Sequence, residues 1–92
     1  MEIDVQTVRH VFEEMLAGRI SRQEADRWAY SVIQHEEAGN LIYSPPSDKD
    51  RIWSGVMYLY GVDLMESPDE YLHTDEDIKT AMKLTLRLYT GG

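Results

Sequence analysis

Cysteine is absent from the 92 residues, which removes disulfide staples, thiolate metal sites and thiol nucleophiles together. Cations are scarce as well: nine Lys and Arg stand against seventeen Asp and Glu, for a formal net charge of −8. Nucleic-acid phosphates are gripped by clustered Lys and Arg that displace counterions, so this balance argues against a nucleic-acid partner. It argues equally against an anionic membrane surface. No apolar run approaches the roughly 18 residues of a membrane span. The opening MEIDVQTV lacks the basic and apolar regions of a signal peptide. The expectation is a cytoplasmic protein.

What is present is enough apolar material for a core, at 42% hydrophobic residues, in a length that suits one domain over 1–92. From residue 4 to 17, Val5, Val8, Val11, Phe12, Met15 and Leu16 recur at spacings of three and four, the mark of an amphipathic helix, and Gly18 stops it. Ser21 and Glu24 have the form of a capping box opening a helix over 22–37, with Ala25, Trp28, Ala29, Val32 and Ile33 on its apolar stripe. The short joint between these helices predicts an antiparallel pair. Leu41-Ile42-Tyr43 meets Pro45-Pro46 and reads as an ordered loop. Ser47 is placed to cap a third helix over 48–60, where Ile52, Trp53, Val56 and Tyr60 supply a stripe and Tyr58 is the more exposed tyrosine. Gly55 inside that helix calls for a close crossing. A long connection follows, in which Ser67-Pro68-Asp69-Glu70 has the form of a helix start and a single turn through Tyr71-Leu72 anchors the loop. Thr74 caps a closing helix over 75–89. The expected fold is all-α: a compact four-helix bundle of two antiparallel helices, a proline-containing loop, a third helix, a long acidic loop with a short turn, and a closing helix.

The residues offer little for catalysis. There is no glycine-rich phosphate loop or nucleophile motif, and His10, His35 and His73 are scattered. No catalytic residue, metal ligand or cofactor is assigned. A DNA-binding helix-turn-helix is disfavoured, because the second helix carries Arg22 and Arg27 but also Glu24, Asp26, Glu36 and Glu37. Two features suggest a protein partner instead. Tyr43 lies in a proline-braked loop beside Asp48 and Asp50, an aromatic anchor with an acidic rim. Seven carboxylates fall between Asp63 and Asp77 with no Lys or Arg among them. The partner-binding set is therefore Leu41, Ile42, Tyr43, Asp48, Asp50, Tyr58, Asp63, Glu66, Asp69 and Glu70. Two plainer readings stay open: Tyr43 folded over the helix pair, and the acids as a solvated face.

The segment Asn40-Leu41-Ile42-Tyr43-Ser44-Pro45-Pro46-Ser47-Asp48 resembles the (S/T)DLIYYP…D stretch of colicin-type DNase immunity proteins. The likeness covers about a tenth of the chain. Ser44 replaces that family's second tyrosine, Asn40 replaces its aspartate, and the Gly61–His73 connection has no counterpart there. A wider pattern, carried by Gly18 to Ala29, Gly61 to Leu64 and Ser67 to His73, looks like small uncharacterised bacterial proteins, immunity proteins of toxin systems among them. The resemblance implies a small acidic immunity protein that neutralises a basic partner, such as a bacterial toxin or nuclease domain, with Tyr43 and Asp48 as contacts. The alternative is a helical adaptor or regulatory interaction domain of unknown partner, without catalytic activity, for which a homodimer is compatible.

Overall fold

Helix starts in this chain are set by side chains that satisfy the free amide groups of the first turn. The computed structural model describes residues 1–88. Asp4 accepts the Thr7 amide at 2.8 Å and opens α1, Val5–Leu16. Ser21 and Glu24 close a full capping box at the start of α2, Arg22–Glu37. Thr74 and Asp77 do the same for α4, Asp75–Thr85. Gly18 and Gly39 follow α1 and α2 in left-handed conformation (φ 76° and 74°), which glycine adopts without penalty.

The third helix, α3 (Lys49–Leu59), begins differently. A 3-10 turn over Pro46–Asp48 leads into it, and no side chain caps its first turn. The Ser47 cap expected from sequence is not formed. Asp48 instead pairs with Arg51 at 2.9 Å, and Arg51 also donates to the Leu86 carbonyl at 3.2 Å, tying the start of α3 to the end of α4.

The architecture is four helices with two small two-stranded sheets, which corrects the all-α expectation. In the first sheet β1, Glu2–Ile3, runs parallel to β2, Ile42–Tyr43. The Ile42 amide donates to the Met1 carbonyl at 2.7 Å and the Ser44 amide to the Ile3 carbonyl at 2.9 Å. The segment read as an ordered loop is thus a strand, and α1 and α2 form the crossover that a parallel pair requires. The second sheet is an antiparallel hairpin of β3, Met65–Ser67, and β4, Glu70–Tyr71. Its turn is Pro68-Asp69, so the motif read as a helix start is a hairpin turn. Proline presets the backbone angle of a turn as readily as that of a first helical residue.

One core joins all four helices and β1. Its fully buried members include Ile3, Val8, Phe12, Val32, Ile52, Val56, Leu59, Ile78 and Leu86. Burying one such side chain is worth roughly 1.5–3 kcal/mol. α3 sits at the centre of the packing, against α1, α2 and α4. Gly55 is buried where α3 passes α1 and the end of α4: a Cβ there would lie 2.9 Å from Val8 Cγ1 and 2.8 Å from Leu86 Cδ2. The close crossing inferred from this glycine is present.

α4 ends at Thr85, whereas the sequence reading carried it to about Tyr89, which lies outside the described residues. Leu86 turns into the core, Arg87 takes a left-handed φ of 55°, and the Leu88 amide reaches back to the Lys83 carbonyl at 2.9 Å. That last bond is the six-to-one closure of a Schellman end, formed here without glycine.

Candidate nucleic-acid interface

The partner-binding residues chosen from sequence fall into two regions. Leu41 and Tyr43 pack half-buried against the core, while Ile42 between them points outward at 61% exposure. Tyr43 donates to Glu36 Oε2 at 3.1 Å, with Lys49 Nζ 5.7 Å from its ring centre. Burial, then the hydrogen bond and charge of Glu36, push its hydroxyl pKa up to about 12. Tyr43 is therefore folded over the end of α2. Asp48 is held by Arg51, and Asp50 is exposed in the first turn of α3.

Asp63 is half-buried, and Glu66, Asp69 and Glu70 stand exposed on the hairpin beyond the other end of α3. An 11-residue helix, about 16 Å long, separates the two regions. The hairpin is fastened to α2 by Arg22, which donates to the His73 carbonyl, meets Asp75 at 3.1 Å and lies 4.2 Å over the Tyr71 ring. Glu66 and Glu70 share the rim of a depression of about 450 Å³ with those same residues.

Tyr58 and Tyr60 are placed in the reverse of the expected order. Tyr58 turns inward, stacked on Phe12 at 6.0 Å and tilted against the His73 ring at 5.0 Å, with its hydroxyl buried and unpaired among the described residues. Burial first, then the charge of Asp77, raises its pKa. Tyr60 follows the last residue of α3, where the chain leaves helical geometry, and is 47% exposed. Its ring stacks on Tyr30 of α2, itself 49% exposed, at 6.1 Å with planes 19° apart.

That contact marks a surface that sequence reasoning passed over. On α2, Gln23, Arg27, Tyr30 and Gln34 are all exposed and recur at spacings of four, three and four, so they form one outward stripe. The acids of α2 counted against it are largely engaged elsewhere. Glu24 completes the capping box. Asp26 accepts the Gly61 amide at 2.7 Å, beyond the end of α3. Glu36 accepts the Tyr43 hydroxyl. Glu37 alone is without such a bond among the described contacts. Arg27 is in none of the described ion pairs, unlike Arg9, Arg19, Arg22, Arg51 and Lys79.

Beside Gln34 the same surface dips into a depression of about 270 Å³ lined by Ser31, Gln34, His35, Ala38 and Asn40. It contains no carboxylate, whereas each of three larger depressions has at least two. The face from Tyr60 across α2 to Asn40 is thus aromatic and rich in amide donors, with Arg27 at its middle and Glu37 at its C-terminal end, on a chain of net charge −8. The signal available in the sequence was the stripe itself: Gln23, Arg27, Tyr30 and Gln34, four polar or aromatic positions at spacings of four, three and four on one side of α2.

A family profile described as "YxzC DNA-binding protein" matches residues 3–84. Among curated proteins, "Uncharacterized protein YxzC" of Bacillus subtilis (strain 168) is 28% identical over 71 residues, covering 77% of this chain and 52% of that protein. The chain therefore spans about half the length of that curated relative. No solved structure matches the chain. The profile overturns the colicin-type immunity resemblance, which rested on nine residues, Asn40 to Asp48, and with it the bacteriocin-immunity function. It likewise overturns the basic toxin partner and the exclusion of nucleic acid. Net charge averages over the whole surface and does not by itself exclude a nucleic-acid partner, because a single face can differ from the mean. No described helix is long and apolar enough to cross a membrane.

Proposed function

The chain belongs to the YxzC DNA-binding protein family, and on that premise we propose that it binds DNA through the outward stripe of α2. The observation that carries this reading is the exposed run of Gln23, Arg27, Tyr30 and Gln34, with the Glu24, Asp26 and Glu36 carboxylates drawn into internal hydrogen bonds and Glu37 only at its C-terminal end. Glutamine and arginine are well suited to base edges and phosphates: arginine offers paired donors, and glutamine an amide donor beside a carbonyl acceptor. Arg27 supplies the charge and Gln34 the polar contacts. The neighbouring dent gives room for a sugar or phosphate beside the Gln34 and Asn40 amides, with no acid in its lining.

In this reading residues 1–92 act as one domain, the core holds α2 rigid, and the protein acts by binding without chemistry of its own. A DNA-binding role implies residence in the cytoplasm with the chromosome. The acidic remainder of the surface limits non-specific adhesion to phosphate, so affinity depends on the one compatible face.

The test is fluorescence anisotropy of labelled DNA titrated with the protein at low and moderate salt. Saturable binding that weakens with salt supports the reading. Absence of binding at every salt concentration refutes it.

A further inference from the structure

We propose that the DNA taken by this face is single-stranded, with an unpaired base stacked on the exposed Tyr30–Tyr60 pair. This rests on the DNA-binding reading above and adds the strand form. Three observations carry it.

The first is the aromatic pair itself. Two tyrosines from different elements, each about half exposed, lie nearly parallel with centroids 6.1 Å apart. An apolar ring surface of that size facing water is a platform for another flat ring. Any base can occupy it, because every base has a π-face, and stacking of this kind strengthens binding roughly tenfold or more per base.

The second is what borders the stripe. Glu24 lies on one side of it and Asp26 on the other, and Glu37 stands beyond Gln34 at its C-terminal end. An α-helix is about 10–12 Å across with its side chains, so it fills a major groove about 12 Å wide. Its flanks then face the phosphates of both strands, which would bring those carboxylates against the walls of a duplex. A single strand that tracks the stripe from Gln23 to Gln34 stops short of Glu37 and leaves the flanks in solvent.

The third is the supply of cations. Duplex DNA presents one phosphate charge for every ~1.7 Å of axis and is normally met by many Lys and Arg. On this face Arg27 is the cation outside the described ion pairs, one turn from Tyr30 on the same side. A site with one free arginine and two stacked aromatics is matched to a base and its adjoining phosphate. Its binding should therefore depend only shallowly on salt.

The test uses the full chain, a labelled oligothymidylate and a duplex of equal length, with Tyr30→Ala, Tyr60→Ala, Tyr30→Phe and Tyr60→Phe. Both tyrosines are half exposed, and thermal melts report whether each variant is folded. The expected result is tighter binding of the single strand, a loss of roughly tenfold in each alanine variant, and near-full affinity in the phenylalanine variants, which keep the ring. Equal or tighter binding of the duplex, or single-strand affinity indifferent to both alanine substitutions, overturns the strand form while leaving DNA binding intact. Failure of the wild-type chain to bind either DNA overturns the underlying reading and this inference with it.

Discussion

Replacing Gly55 with alanine sets two opposed effects against each other, and the structure decides between them. Alanine is favoured over glycine inside a helix by about 1 kcal/mol, so on an open face the change would stabilise α3. Gly55 is not on an open face: the new methyl group would stand 2.8 Å from Leu86 Cδ2 and 2.9 Å from Val8 Cγ1. Leu86 can swing its methyl group aside. Val8 is branched at Cβ on a helix, where one rotamer dominates, and can yield only by moving α1. Overpacking of this kind costs about 1–3 kcal/mol. The net expectation for Gly55→Ala is a loss of about 1 kcal/mol, a fall in Tm of roughly 4–8 °C for a chain of this size. Thermal denaturation followed by circular dichroism measures it. The same substitution made in a Val8→Ala background should become neutral or stabilising, because the stiff neighbour is gone. A rise in Tm on Gly55→Ala in the otherwise unaltered chain would refute the close crossing of α3 and α1. An identical effect in both backgrounds would refute the role given to Val8.

Two further outcomes follow from the same contacts. The folded state keeps the Tyr43 proton up to a pKa of about 12, whereas the unfolded chain releases it near the ordinary 10.0. Stability should therefore fall as pH rises between about 10 and about 12, and Tyr43→Phe should flatten that fall in urea-denaturation midpoints taken across the range. Ser21→Ala removes the acceptor for the Glu24 amide and should cost about 1 kcal/mol in the same assay, with DNA binding reduced only as far as α2 frays.

The helices were legible in the sequence because their signals are local. The Ser21 and Thr74 capping residues, the stops at Gly18 and Gly39, and the apolar spacing of α1 are each fixed by neighbours within a turn or two. The strands were not legible. β1 and β2 are two residues each, too short to show alternation, and their pairing is decided by the return of the chain from the end of α2 to Met1. The Pro68-Asp69 turn was misread because proline and an acid serve a helix start and a turn alike. Tyr58 and Tyr60 were exchanged for a related reason: α3 stops at Leu59, so the helical period that should have carried Tyr60 inward no longer applies. The candidate interface was hidden by counting charges on α2 without their partners. Where the Asp26 and Glu36 carboxylates are drawn depends on Gly61 and Tyr43, 35 and 7 residues away in sequence, which only the folded chain brings near.

The most direct test of the α2 face is a charge reversal at Arg27 compared with the same reversal at Lys79. Arg27→Glu and Lys79→Glu change the net charge equally, but Arg27 lies on the proposed face and Lys79 on α4, beside Glu76. Measured by anisotropy with one labelled DNA at one salt concentration, Arg27→Glu should abolish or severely weaken binding, while Lys79→Glu should lower it modestly through net charge alone. Equal losses from the two substitutions, or unchanged binding in Arg27→Glu, would contradict the assignment of DNA binding to α2.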